Sequence, residues 1–304
     1  MSAVSIEKNS TTELVAALEK NIAALPGNSA SRQEALAAVK QQGLPTTKTE
    51  EYKHTPVTRF LDKNFSLSTA NVAGDLNPAT FQIEGLDANV LVFVNGSYQP
   101  QYSTIQSSNL EISNLAEALT KNEAAKKYFN TLADSAADVF TAWNTAAWTE
   151  GIFIHIPRKA VVDKPIVFYH IHDASKGQVI THTRNLFVVE QSAEVTVLEK
   201  FDSAGDAVHF SNQVTEVVVE ENAGFNFYSI QNDAGNRHQV ALVKIQQASN
   251  SRVNTYTFSL GGKLIRNNLQ LVLDGEGIES HMYGLYLLGK DTLGDNHTVV
   301  DHRK

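Results

Sequence analysis

The second half of the chain repeats itself. Glu190-Gln191-Ser192-Ala193-Glu194-Val195-Thr196-Val197 is followed, 30 residues on, by Glu220-Glu221-Asn222-Ala223-Gly224-Phe225-Asn226-Phe227. Looser copies stand at Gln246-Gln247-Ala248-Ser249, offset 26, and at Asp274-Gly275-Glu276-Gly277, offset 28. Each copy reads as an apolar run, a short polar corner and an apolar alternation. A fixed period in this range belongs to stacked units that bury a shared core. The apolar parts are rich in Val, Phe, Ile and Tyr, so each unit is strand–turn–strand. Such units stack into a parallel β-helix, predicted here from about residue 152 to 304 with two short strands per turn. Val195 and Val197, two apart, should share one face.

Composition removes several classes of function. Thirty-three acidic residues against 25 basic ones give a net charge of −8, with no clustered basic face of the kind nucleic acid selects. No apolar run reaches the ~20 residues of a membrane span. Met1-Ser-Ala-Val-Ser-Ile-Glu-Lys8 has no apolar signal core, which points to the cytoplasm. The chain has no cysteine, hence no disulfide framework and no thiolate of its own.

Residues 1–150 read as an α-rich region with a short mixed α/β segment. Ser10 and Glu13 have capping-box spacing, and Leu14, Leu18, Ile22 and Leu25 form one stripe ending at Pro26-Gly27. A second helix is predicted to open at Ser31 with Glu34, to carry Leu36 and Val39, and to close at Gly43-Leu44-Pro45. Pro45–Phe60 reads as polar and irregular. Asn89–Val94 is a buried strand ending in an Asn95-Gly96 turn. From Ile112 to Trp148 the periodicity is helical, with Phe140, Trp143 and Ala147 on one face, Trp143 and Trp148 as packing residues, and Gly151 as the stop. Strands then run from Ile152 onward, with Pro157 and Pro165 at corners. No Gly/Ser linker separates residues 1–150 from 151–304, so the two parts should pack together.

Four C-terminal segments carry a family resemblance: Phe258-Ser-Leu-Gly-Gly-Lys-Leu-Ile-Arg-Asn-Asn268, Leu273-Asp-Gly-Glu-Gly277, Gly284-Leu-Tyr-Leu-Leu288 and Asp295-Asn-His-Thr-Val-Val-Asp-His302. They resemble the SufB/SufD family, scaffold proteins of bacterial and plastid iron–sulfur cluster assembly. Glu50-Glu51-Tyr52-Lys53-His54-Thr55 looks like the N-terminal signature of the SufD branch. Gly151–Pro157 and Val162-Asp-Lys-Pro165 look like the opening of the family's β-helix. The resemblance implies a right-handed parallel β-helix, a SufB-like partner and a SufC-like ATPase that docks on a helical C-terminal domain. Family members continue beyond the point matching Lys304, with further rungs, a Cys/His-bearing segment and that helical domain. No cluster-site residue therefore carries over, and the expectation is a fragment or a shortened relative.

Other constellations bear on possible chemistry. His170 and His172 put two imidazoles on one strand face. A closed metal site needs three or four ligands, and none stands at fitting spacing, so a solvated polar face is expected. His297 and His302 fall on opposite strand faces, and Asn296-His297-Thr298 and Asp301-His302 read as corner-fixing groups. Asp274 and Glu276 have the carboxylate pairing a glycan-cleaving β-helix would need, yet their flanking glycines mark a tight corner. Gly261-Gly262-Lys263 lacks phosphate-loop spacing and reads as another corner. There is no nucleophile elbow.

The sequence thus points to a non-enzymatic SufD-like scaffold subunit of the SUF system. It is expected to have no catalytic, cofactor-binding or metal residues, and to meet an iron–sulfur cluster only transiently, together with partners. A homodimer through the final strands, including Leu285, Leu287, Val299 and Val300, is a further expectation. A carbohydrate-active β-helix enzyme is the alternative.

Overall fold

The polar corners of the repeat set the architecture. In the computed structural model, which describes residues 10–27, 29–64, 73–233 and 235–304, each corner places one residue at positive φ: Lys159, Ser192, Asn222, Asn250 and Gly277, all between 57° and 67°. That conformation suits Asn and Gly and reverses the chain in few residues. Each corner also bonds to the next one up. The amides of Lys159, Ser192, Asn222 and Asn250 donate to the carbonyls of Gln191, Glu221, Ser249 and Glu276, at 2.8–3.0 Å.

In chain order the elements are α1 (Ser10–Asn21), α2 (Ser29–Gln42), α3 (Val57–Asn64), β1 (Asn89–Val94), β2 (Ser97–Tyr98), β3 (Glu111–Asn114), α4 (Leu115–Lys121), α5 (Glu123–Tyr128) and α6 (Val139–Ala147). The solenoid strands follow: β4 (Ile152–Ile156), β5 (Ile166–Asp173), β6 (Val179–Val189), β7 (Glu194–Ala204), β8 (His209–Val219), β9 (Gly224–Gln231), β10 (Arg237–Gln247), β11 (Arg252–Ser259), β12 (Leu264–Leu273), β13 (Glu279–Tyr286) and β14 (Leu293–His302). Two seven-stranded sheets result. Sheet A runs β13-β11-β9-β7-β5-β1-β2 and sheet B runs β14-β12-β10-β8-β6-β4-β3. Successive rungs pair in parallel, so the expected parallel β-helix is what forms. Several of its strands reach 11 residues and are longer than expected.

The first repeat has the right offset: Glu194 faces Gly224 across β7 and β9. The looser copies slip by two. Val219 faces Gln247 and Gln247 faces Leu273, so the true offsets there are 28 and then 26. A slip of two preserves which side chains point inward, which is why the inside–outside reading survived it. Val195 and Val197 share the interior with Phe168, Phe187, Val217, Phe225, Ile245 and Leu271.

The N-terminal region supplies the first rung of each sheet. β1 pairs with β5 in parallel, and β3 pairs with β4 antiparallel. Asn95-Gly96 makes the expected hairpin turn, both residues at positive φ, into β2. Ile112 therefore lies in a strand, not a helix, because pairing to the solenoid edge outweighs local periodicity. Val57–Asn64 is helical where an irregular stretch was expected; Val57 and Leu61 bury beneath it. α2 begins at Ser29, ahead of the expected Ser31. Gly151 does not stop α6, whose last residue is Ala147. It stands where an added Cβ would meet the Arg184 carbonyl oxygen at 1.7 Å, so glycine is required by close approach.

The helices cover the outer face of sheet B. Leu14, Leu18, Leu36, Val39, Phe140 and Trp143 pack with Ile180, Phe210 and Val240 of the strands. Arg32 fastens α2 to the end of α6. Its guanidinium donates to the carbonyls of Ala146 and Trp148 at 2.9 and 2.8 Å and lies 4.5 Å over the Trp148 ring. A cation is favourable where a helix leaves its last carbonyls unpaired. Asn144 ties α6 to the sheet by donating to the carbonyls of Thr183 and Asn212. Among the described residues no helix is long and apolar enough to cross a membrane.

Candidate functional site

The bore of the solenoid is divided along the strands. Near the polar corners it is apolar, filled by Phe168, Phe187, Val197, Phe225 and Phe227. Continuing β5 at alternate positions beyond Phe168 reaches His170 and His172, both only 4% exposed. Across the bore, β8 and β10 start with His209 and Arg237, which are paired neighbours in sheet B. Glu199, Gln213, Gln231, Asp233 and Gln239 complete this polar half, all at most 5% exposed. The expected solvated face for His170 and His172 is therefore wrong. β5 is a middle rung, and its alternate side chains point into a covered bore.

The polar half is partly satisfied. Gln213 donates to Glu199 at 2.7 Å, and Gln231 donates to Asn267 at 2.7 Å. The Arg237 guanidinium donates to Asp233 Oδ2 and to Gln239, and lies 4.4 Å over the Phe201 ring. Burial pulls its pKa down to about 9, opposed by the carboxylates of Asp202 and Glu199. His170 stacks on Phe201 at 4.8 Å and stands 3.7 Å from Glu199. His172 and His209 stack on each other at 4.8 Å, with Asp233 Oδ1 3.8 Å from His172 Nδ1 and 3.8 Å from His209 Nε2. Burial first, then neighbouring charge, holds both imidazoles well below the usual histidine range, hence neutral at pH 7. Those two nitrogens and Asp233 Oδ1 are buried without a hydrogen-bond partner.

The other sequence candidates fall elsewhere. The Glu50–Tyr52 turn docks on the outer face of the last rungs. Tyr52 is buried, donates to Asp138 at 2.8 Å, and carries the Arg266 guanidinium 4.2 Å above its ring. Burial is the main cause raising its pKa well above the phenol range. Glu51 pairs with His297 at 2.8 Å, Arg266 with Asp295 at 2.5 Å, and Thr55 donates to Asp295. Glu51, Tyr52, Asp138, Arg266 and His297 line a cleft of about 480 Å³ between the N-terminal region and the solenoid. His297 and His302 both lie within β14, so they fix no corner: parallel pairing with β12 extends to His302. Asp274-Gly275-Glu276-Gly277 is a corner, with Glu276 exposed and Gly277 at φ 67°. Gly261-Gly262-Lys263 is also a corner, with Gly262 at φ 97°.

His209, Asp233 and Arg237 were missed because they lie far from His172 in sequence. The repeat itself was the signal that would have found Asp233. His172 faces Ser203 on the next rung, and one further 30-residue step from Ser203 lands on Asp233.

Comparison with known proteins covers the whole architecture. Residues 12–168 match the family model of the SufBD protein N-terminal region. Residues 170–304 match that of the SUF system FeS cluster assembly SufBD core domain. The chain is 27% identical over 277 residues to the iron–sulfur cluster assembly protein SufD of Escherichia coli, spanning 90% of this chain and 62% of that protein. It is 26% identical over 283 residues to an iron–sulfur cluster assembly SufBD family protein of Synechocystis, spanning 88% of this chain and 62% of the relative. A Staphylococcus saprophyticus SufBD family protein is 27% identical over 191 residues, spanning 61% of this chain and 40% of its own.

Proposed function

The chain belongs to the SufBD family of the SUF iron–sulfur cluster assembly system, and from that premise we propose that it is a SufD-like, non-catalytic scaffold subunit. The observation that carries this reading is continuous similarity to SufD through both the helical region and the solenoid. The absence of cysteine agrees, since any thiolate ligand of a nascent cluster must then come from a partner. On this reading the chain works in the cytoplasm with a SufB-like subunit and a SufC-like ATPase. It meets an iron–sulfur cluster only in their company.

The carbohydrate-active alternative has no support from the geometry. Its required pair is split, since Asp274 lines a surface cleft beside Glu220 and Glu221 while exposed Glu276 of the same corner does not. The direct test is co-expression with SufB-like and SufC-like proteins, followed by affinity capture and size-exclusion chromatography. A stoichiometric complex that assembles a cluster in the presence of a sulfur donor is expected. Failure to co-elute with the SufB-like protein overturns the scaffold reading.

A further inference from the structure

We propose that His172, His209 and Asp233 form a binding site for one divalent transition-metal cation of the zinc or ferrous class inside the polar half of the bore. The site stands on its own geometry and does not rest on the scaffold reading. The three side chains bring one ligand atom each to within 4.8 Å of one another, and all three residues are buried. His172 Nδ1, His209 Nε2 and Asp233 Oδ1 have no hydrogen-bond partner. Buried polar atoms are nearly always satisfied, so three orphans clustered within 4.8 Å of one another ask for a shared partner. That partner must offer a positive charge or several donors, because it would meet two imidazole lone pairs and a carboxylate oxygen. Two imidazoles and one carboxylate suit borderline divalent cations better than calcium or magnesium.

Distances fit with a small contraction. With nitrogen–oxygen separations of 3.8 Å and the nitrogens at the 4.8 Å limit, a point equidistant from all three lies about 2.5 Å from each, against roughly 2.0–2.1 Å for imidazole-bound zinc. Loading requires the two imidazoles, now 10° from parallel, to turn about χ2 so that their lone pairs converge. The surroundings already position the ligands. Arg237 holds Asp233 Oδ2 and leaves Oδ1 free. The Thr181 hydroxyl stands 3.5 Å from His172 Nε2, the ring nitrogen not offered to the ion. Such outer contacts fix tautomer and ring orientation in metal sites. Arg237 opposes a cation by its charge, while Glu199 and Asp202 supply negative charge nearby. An isolated pair of donors would not hold an ion against that guanidinium; three do so by chelation.

The test is to unfold the 304-residue chain in EDTA, refold it with Zn2+ or Co2+, desalt it and measure retained metal. One equivalent is expected in the unmutated chain. Asp233→Asn and His209→Gln should each retain at least tenfold less, and exposed His302→Gln should retain the same. Bound Co2+ should show two hyperfine-shifted imidazole signals in the unmutated protein, a readout independent of whether the variants fold. No retained metal, metal retained equally by the buried-site variants, or a Co2+ spectrum without two imidazoles would each overturn the site.

Discussion

The two halves of the bore use one backbone for opposite purposes. Near the polar corners, Phe168, Phe187 and Phe225 stack as in any solenoid core, and the rungs are held by area removed from water. Toward the other end the same alternation buries His172, His209, Asp233 and Arg237. That half removes charge from water and recovers only part of the loss by pairing. A fold stabilised by its apolar half alone would not need the polar one. Its persistence inside a closed bore points to a role other than stability.

Single and paired substitutions separate the halves, and these are the largest effects expected. Phe168→Ala should cost about 3–5 kcal/mol in urea unfolding. Adding Phe187→Ala, whose ring lies 5.8 Å away, should cost more still. In the polar half Arg237→Met should also cost about 3–5 kcal/mol, because it strands Asp233 without its cation. Here the second change should rescue: Arg237→Met with Asp233→Leu should recover most of the loss. If the double variant is no more stable than Arg237→Met, the polar half is a mutually supporting network and the contrast between halves fails.

This contrast also marks what the sequence could reveal. Strand parity and the first corners were legible because each is a local pattern: Ser192 and Asn222 recur at the same place in their cassettes, whereas Asn250 lies two residues beyond the matching place in the looser copy. That His170 and His172 share one face was equally legible from their spacing of two. Their burial was not. Alternation says that two residues share a face, and only the stacking of β1, β7 and sheet B around β5 says that the face is closed. Asp233 lies outside any strand, in the connection between β9 and β10, where strand alternation does not reach and only the 30-residue period from Ser203 points to it. The Tyr52–Arg266 and Thr55–Asp295 contacts were hidden for a related reason, since each joins positions more than 200 residues apart.

An intermediate effect concerns protons, and it separates the bore from the outer face. His182 is half-buried on the outer face of sheet B, with its Nδ1 shielded from solvent and its ring 5.0 Å from that of Trp143. Burial lowers its pKa to about 3. A histidine depressed in the folded state takes up a proton more readily when unfolded. Its contribution to stability is therefore complete above the unfolded value of ~6.5 and is lost as pH falls toward about 3. Across that window it should add a slope of up to about 1.4 kcal/mol per pH unit. His182→Phe should flatten the stability–pH curve by that share while leaving the rest of the acid response, which belongs to the other buried histidines. An unchanged slope would assign the whole acid response elsewhere and remove the outer face from the comparison.

The smallest effect on stability, and a separate effect on association, is expected at the last rung. Middle rungs bury every residue of strands such as β5 and β8, whereas β13 and β14 of this 304-residue chain have a neighbour on one side only. Leu285, Leu287 and Tyr286 are 44%, 64% and 54% exposed, and Val299 and Val300 are 40% and 36% exposed. Leu287→Ser removes little buried area, so its effect on unfolding should stay within about 0.5 kcal/mol. An unpaired strand edge flanked by apolar side chains nevertheless templates pairing with another edge. Light scattering over a concentration series should show the unmutated chain associating, and Leu287→Ser together with Val299→Lys should weaken that association without changing the unfolding midpoint. A monomer at all concentrations would mean that the exposed apolar residues of the last rung are too dispersed to bury a stable contact. The energetic asymmetry of this molecule would then lie wholly inside the bore.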